Sequence, residues 1–383
     1  MHDRYRRRWW LAGAVLALLA ITPPAQATEV SPRPRPSPGF DADVLAVAYR
    51  GNVVYVGGRF EAAQAGDSTV GRSRVAAVDA RTGRLSGWAP RTDGPVQAIA
   101  VYGDSVYLAG NFGHVDGDRR DGLAKVDATT GELDPSFAPA VTGRALALAV
   151  GHDRLYVGGS FEEVDGQPRA NLAAVALDTG ALDPDWRPAA TEGDVRTLAV
   201  DSGRVYLGGR FNLLNGSDDY RKLAAVHPTS GATDTGFRSR LSVIVRDVVL
   251  SPDGPYAAVG GQGGELLALH ADGTLRWAVT ADGDFQAVTL LGDTVYGGGH
   301  FTEICHTRRT GDQGVCVDGA TPRGRLAAVT TGGALLDWAP DADSAVGVHA
   351  MAAHSGLGAV AVGGEFTTLG SGTIDQPRFA HFT

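Results

Sequence analysis

Two cysteines and a set of polar side chains inside otherwise apolar segments are the residues here whose type and spacing could do chemistry. Cys305 and Cys316 fit two readings. In an exported protein, a pair closing so short a loop is a disulfide, and the chain-entropy estimate gives such a staple about 3 kcal/mol. With His300 and His306 beside them the same sulfurs would make a metal site, although their spacing matches no standard zinc pattern. A second set is Leu45, Gln97, Leu146, Arg196, Arg246, Gln286 and His349, each second in a short segment of the type Val-x-Ala-Ile-Ala-Val. Five of these are polar. Arg suits carboxylates and Gln suits hydroxyls, so Gln97, Arg196, Arg246, Gln286 and His349 together would hold an anionic or hydroxyl-rich ligand. The competing reading is a hydrated channel whose lining only satisfies water.

A third set is the carboxylates of the polar loops, among them Asp43, Asp93, Asp116, Asp165, Asp194, Asp284 and Asp343. They are dense enough to raise Ca²⁺ as a bound ion, while Val115-Asp116-Gly117 and Val164-Asp165-Gly166 also have the form of Asx turns. No Gly-x-Ser-x-Gly, His-Glu-x-x-His or dinucleotide motif occurs. The acids are too numerous to single out a catalytic pair. No catalytic residue is therefore assigned, no cofactor is expected beyond Ca²⁺ in the acidic loops, and the reading leans toward binding rather than catalysis.

The elements that must position these residues recur along the chain. A segment of the form apolar-Tyr-apolar-Gly-Gly-x-Phe runs from Val54 to Phe60 and returns ending at Phe112, Phe161, Phe211, Phe301 and Phe366, with a degenerate copy from Tyr256 to Gly261. A Leu-Ala-Ala-Val-like segment follows each copy, starting at Val75, Leu123, Leu172, Leu223, Leu266, Leu326 and Phe379. After a turn comes an aromatic, often with Pro two residues on, in the series Phe40, Trp88, Phe137, Trp186, Phe237, Trp277 and Trp338. Four short β-like segments per unit, at a period of about 50 residues, predict an all-β, seven-bladed β-propeller with four-stranded antiparallel blades. The prolines place the aromatic strand at the outer edge, since Pro cannot donate to a ladder. The Gly pair calls for a positive φ or a close backbone approach, with the following Phe filling the gap between blades. No helix follows these glycines, which excludes a phosphate cradle.

Composition agrees. The 383 residues hold 53 Gly and 19 Pro, together about 19% against an average near 12%, which argues against helical bundles. Arg4, Arg6, Arg7 and Arg8, an apolar run from Trp9 to Ile21 and Ala25-Gln26-Ala27 read as a signal peptide over residues 1–27, with secretory and twin-arginine routes both open. Cleavage would remove four Arg and one Asp and take the net charge from −9 to −12, a poor balance for binding nucleic acid. Residues 28–36 are a Pro-rich linker or the start of a closing strand, and 37–383 a single propeller domain. The last unit lacks its aromatic strand and the first begins with a spare one, Ser37-Pro38-Gly39-Phe40. That segment is expected to close the ring beside the C-terminal strand.

The repeat resembles the delta-60 family of secreted bacterial β-propellers over residues 40–383 and, more remotely, Kelch-like and quinoprotein propellers. The resemblance implies the fold and export and carries over no catalytic residue; neither the copper ligands of Kelch-type oxidases nor a quinoprotein Trp-docking motif has a counterpart here. Unit lengths are unequal, about 40 residues from Phe237 to Trp277 and about 60 from Trp277 to Trp338. A shortened loop at Gln262–Gly264 beside a long one from Thr302 to Gly324 would make a notch and a wall on one face, where binding sites collect. The expected function is an exported, monomeric scaffold that binds a protein or carbohydrate ligand through its loop-rich face. The alternative is a carbohydrate-active enzyme, a glycosidase or lyase, with its site at the channel entrance.

Overall fold

A computed structural model describes residues 29–261 and 263–383. The signal-peptide reading of residues 1–27 lies outside the described residues. The described chain is all-β and its sheets are antiparallel. Sheet one pairs Val44–Arg50 with Val53–Gly58 and that strand with Val75–Asp79. The same order returns in sheet two (Val96–Tyr102, Ser105–Gly110, Leu123–Asp127), sheet three (Val141–Gly151, Arg154–Val164, Leu172–Ala176) and sheet four (Val195–Val200, Val205–Gly209, Leu223–Val226). It continues in sheet five (Val245–Ser251, Gly254–Val259, Glu265–Leu269), sheet six (Asp284–Leu291, Thr294–His300, Leu326–Thr330) and sheet seven (Val348–His354, Ala359–Gly364, Phe379–Phe382). The three strands are called leading, middle and third below.

Each leading strand lies against the leading strands of the sheets before and after it, and Val348–His354 lies against Val44–Arg50. This β-propeller-like succession follows from the repeat. The Gly pair at the end of a middle strand lets backbones meet: a Cβ at Gly58 would stand 2.0 Å from the Asp43 carbonyl oxygen. A close approach, not a positive φ, is what requires glycine there. The Tyr two residues earlier packs edge-to-face with the aromatic of its own unit, as Tyr55 does with Trp88 at 5.0 Å and Tyr296 with Trp338 at 5.0 Å. That aromatic also reaches the next sheet: Trp88 Nε1 donates to the Asp127 carbonyl at 2.9 Å and Trp186 Nε1 to that of His227 at 3.2 Å.

The fourth strand differs from expectation. It is a full strand only in sheet five, Leu275–Thr280; elsewhere it shrinks to one bridge, such as Val78 to Leu85 or Val126 to Leu133. In four of these sheets Pro90, Pro139, Pro188 and Pro340 follow the aromatics and lack the donor a ladder needs, whereas Ala278 and Val279 follow Trp277; sheet four, with Arg238 and Ser239 after Phe237, also keeps one bridge, Val226 to Thr233, without a proline.

The N-terminal segment also lies differently. Ser31 N donates to the Thr383 carbonyl at 3.2 Å and Arg35 N to that of His381 at 2.8 Å, so the backbone bonds to the C-terminal strand fall within Ser31–Arg35, while Ser37–Phe40 meets that strand through side-chain packing. Gly39–Phe40 pairs with Ala62–Ala65 instead. Phe40 stands ahead of its leading strand where Thr92 stands ahead of the second, so it is not the first of the aromatic series. It packs on Phe60 and Phe379.

Candidate functional site

Every leading strand slips its pairing at an equivalent residue: between Val44 and Ala46, Val96 and Ala98, Ala145 and Ala147, Val195 and Thr197, Val245 and Asp247, Phe285 and Ala287, and Val348 and Ala350; the strand of sheet three slips a second time, between Thr142 and Gly143. A bulge leaves its extra residue unpaired and re-aims that side chain. The extra residues are Leu45, Gln97, Leu146, Arg196, Arg246, Gln286 and His349, and all of them line one cavity of about 190 Å³ enclosed by the leading strands. The five polar positions singled out in the sequence therefore share one site. What the sequence does not display is the bulge, the device that points them inward.

Both arginines of the cavity face carboxylates, although Arg246 Nε keeps no partner among the described residues. Arg196 Nε donates to Asp194 Oδ1 at 3.0 Å and Nη2 to Oδ2 at 3.2 Å, and Arg210 shares the same carboxylate. Burial alone would raise Asp194, but the hydrogen bonds and charges of Arg196 and Arg210 hold it below the ordinary carboxylate range. Arg246 Nη2 donates to Asp284 Oδ2 at 3.0 Å. Gln286 Nε2 donates to the Val346 carbonyl at 3.1 Å, which makes its Oε1, 3.1 Å from His349 Nδ1, the acceptor of that ring's N–H. Burial pushes His349 down, with Asp43 and Glu365 opposing and Arg59 and Arg246 adding, so the imidazole is neutral at pH 7. Gln97 lines the cavity with its amide free of hydrogen bonds to the described residues.

One residue escaped the sequence reading. The position after the bulge is Ala46, Ala98, Ala147, Ala287 and Ala350 in five sheets, but Thr197 in sheet four and Asp247 in sheet five. Asp247 bridges three sheets: Oδ1 accepts from Thr197 Oγ1 at 3.1 Å and Val248 N at 2.8 Å, and Oδ2 from Val288 N at 3.0 Å. Burial raises its carboxyl despite these donors. An acid at a position otherwise held by alanine was the available signal.

The loop carboxylates serve the backbone. Asp93 Oδ1 accepts from the Gly113 and His114 amides at 2.8 and 3.0 Å, and Asp343 Oδ1 from those of Thr367 and Thr368 at 2.7 and 2.6 Å. Asp116 and Asp165 accept from Arg91 N and Ala140 N. Among the described residues no three His, Cys, Asp or Glu side chains gather as a metal site. Cys305 and Cys316 form a disulfide.

The expected notch and wall are one feature. The long loop of sheet six folds onto the short loop of sheet five: a Cβ at Gly314 would stand 2.5 Å from the Asp282 carbonyl oxygen and 2.7 Å from Gly263 N, and Arg308 clasps Glu265 at 2.7 and 3.0 Å. The insertion fills the gap that the deletion leaves.

The sheets and the cavity place the chain in the class of all-β, propeller-like folds with a polar centre. No family model matches the chain, and no curated protein does. Among solved structures it is similar to the computationally designed Ika8 protein, at 14% identity and a TM-score of 0.49, over 90% of this chain and 97% of that one. It is also similar to BamB from Moraxella catarrhalis, at 16% identity and a TM-score of 0.48, over 89% of this chain and 83% of that one. Among the described residues no helix is long and apolar enough to cross a membrane.

Proposed function

We propose that the chain is an exported seven-bladed β-propeller, closed by its N-terminal segment, that acts as a binding scaffold and takes a ligand where its leading strands converge. The observation that carries this reading is the sevenfold bulge: one side chain from each leading strand lines the same cavity, and five of them are polar. Closure is supported by the contact between the first and last leading strands. It is supported as well by Trp338 Nε1, which donates to the Ser31 carbonyl at 3.4 Å as Trp88 does to that of Asp127. The N-terminal segment thus occupies the place of a following sheet. Export rests on the arginine-led apolar start together with the Cys305–Cys316 disulfide. Membership of the delta-60 family is retained as part of the proposal.

The catalytic alternative has less support. Asp194 and Asp284 are tied to guanidiniums, and the Asp247 carboxyl is tied to Thr197, Val248 and Val288. Calorimetric titration of the full chain against small carboxylates and small polyols tests the binding reading. Heat should appear with one of the two classes and vanish in Gln97→Leu/His349→Leu. A panel that gives no heat, or a variant that binds as before, removes the cavity from consideration.

A further inference from the structure

We infer that the cavity enclosed by the leading strands selects a small neutral molecule carrying several hydroxyl groups, of about monosaccharide size, over an anion. This rests on reading the cavity as a ligand site. Three observations carry the choice. Each arginine on the cavity already faces a carboxylate at about 3 Å, Arg196 at Asp194 and Arg246 at Asp284. An entering anion would have to displace a built-in carboxylate or sit beside it, where like charges repel.

Beside the Arg246 Nε–H, which has no partner among the described residues, the uncommitted groups are neutral and of both hydrogen-bonding kinds. Gln97 offers an amide N–H and an amide oxygen. His349, with Nδ1–H given to Gln286 Oε1 at 3.1 Å, keeps Nε2 as an acceptor. A hydroxyl donates and accepts at one atom, so it matches such a lining, whereas a carboxylate only accepts. The third observation is size. At about 30 Å³ per water, 190 Å³ is the share of roughly six waters. A molecule with as many oxygens takes the place of those waters.

The experiment is isothermal titration of the full chain with glucose, galactose, myo-inositol and glycerol in one arm and acetate, succinate and inorganic phosphate in the other. A polyol is expected to bind with an affinity that changes less than about twofold as salt rises tenfold, since no net charge is matched. Gln97→Leu and His349→Leu should each weaken it by about tenfold, the worth of hydrogen bonds lost to the ligand. Leucine already stands at the equivalent bulges, Leu45 and Leu146, so both variants have a precedent in this fold. Salt dependence in the unaltered chain needs no variant at all. Binding of acetate, succinate or phosphate, weakened by salt, with no polyol bound, overturns the inference and leaves the cavity a ligand site. No heat in either arm overturns both.

Discussion

Replacing His381 with leucine should flatten the acid branch of the stability curve. His381 lies in the third strand of sheet seven, 2% exposed, with neither ring nitrogen hydrogen-bonded among the described residues. Its position is Ala77, Ala174, Ala225, Ala268 and Ala328 in other sheets, opposite a tyrosine of the middle strand. In sheet seven the pair is inverted, with Ala361 opposite His381, and the missing tyrosine volume comes from Tyr49 of sheet one, 6.1 Å from the imidazole. Burial first, and the Arg35 charge second, push His381 down from 6.5 to about 4. The groups facing it are thus Arg35, cationic, and Tyr49, whose hydroxyl burial keeps neutral, with His354 against the far side of Tyr49. Because the folded value lies below the unfolded one, unfolded chains bind the proton first as pH falls. Stability that is complete above pH 6.5 drains away down to about pH 4.

At about 1.4 kcal/mol per pH unit the whole gap amounts to about 3 kcal/mol, of which about 2 kcal/mol is lost by roughly pH 5. Urea denaturation at several pH values, in the unaltered chain and in His381→Leu, reads this directly. Leucine leaves no unpaired polar atom behind, so the variant should be near-neutral at pH 7 and gain about 2 kcal/mol relative to the unaltered chain at roughly pH 5. His349 titrates in the same direction in both proteins and cancels in the difference. If the two curves stay parallel across that window, the buried neutral imidazole is not what weakens the protein in acid.

Three further outcomes follow from the packing. Tyr55→Phe removes the hydroxyl that donates to the Ala128 carbonyl at 2.6 Å and should cost about 1 kcal/mol in urea denaturation. Tyr256→Phe, whose hydroxyl bonds to no described residue, should cost less than about 0.5 kcal/mol and serves as the control. Deleting residues 29–36 removes buried Val30, the Ser31 and Arg35 backbone bonds and the Trp338 acceptor, and should lower stability by at least about 3 kcal/mol; an unchanged midpoint refutes closure by this segment. Cys305→Ser/Cys316→Ser should cost up to about 3 kcal/mol and speed amide exchange within the loop, with exchange in the leading strands unchanged.

What the sequence displays is what recurs. The Tyr-x-Gly-Gly segment, the Leu-Ala-Ala-Val segment and the aromatic return in phase because each sheet solves the same packing problem, and the strand order is legible for that reason. The five polar bulge residues were legible too, as exceptions inside apolar strands. The bulge itself was not, because it is a backbone register shift that leaves no residue type behind it. Phe40 was misplaced because an aromatic and a nearby proline look alike in either strand; only the count back from Val44 shows which pairing it makes. The single-bridge fourth strands were concealed in the same way, although the prolines that accompany four of them were in view.

The departures from the repeat hold most of what is particular to this protein, and each is compensated by a second departure. The loop lost from sheet five is covered by the loop gained in sheet six, with Gly314 lying on Gly263 and Arg308 held by Glu265. Ala361, where six sheets have tyrosine, is answered by His381 across the ladder and Tyr49 across the seam. Asp247, where five sheets have alanine, is answered by Thr197 in the sheet before it and by the Val288 amide in the sheet after. Each of these compensations reaches across a sheet boundary, so none is explained from its own unit alone. A chain grown by repetition alone would have no reason to alter two distant positions together. The test of that reasoning is a cycle: Asp247→Ala and Thr197→Ala should couple by at least about 0.5 kcal/mol, whereas Asp247→Ala and Tyr55→Phe, in sheets apart, should add.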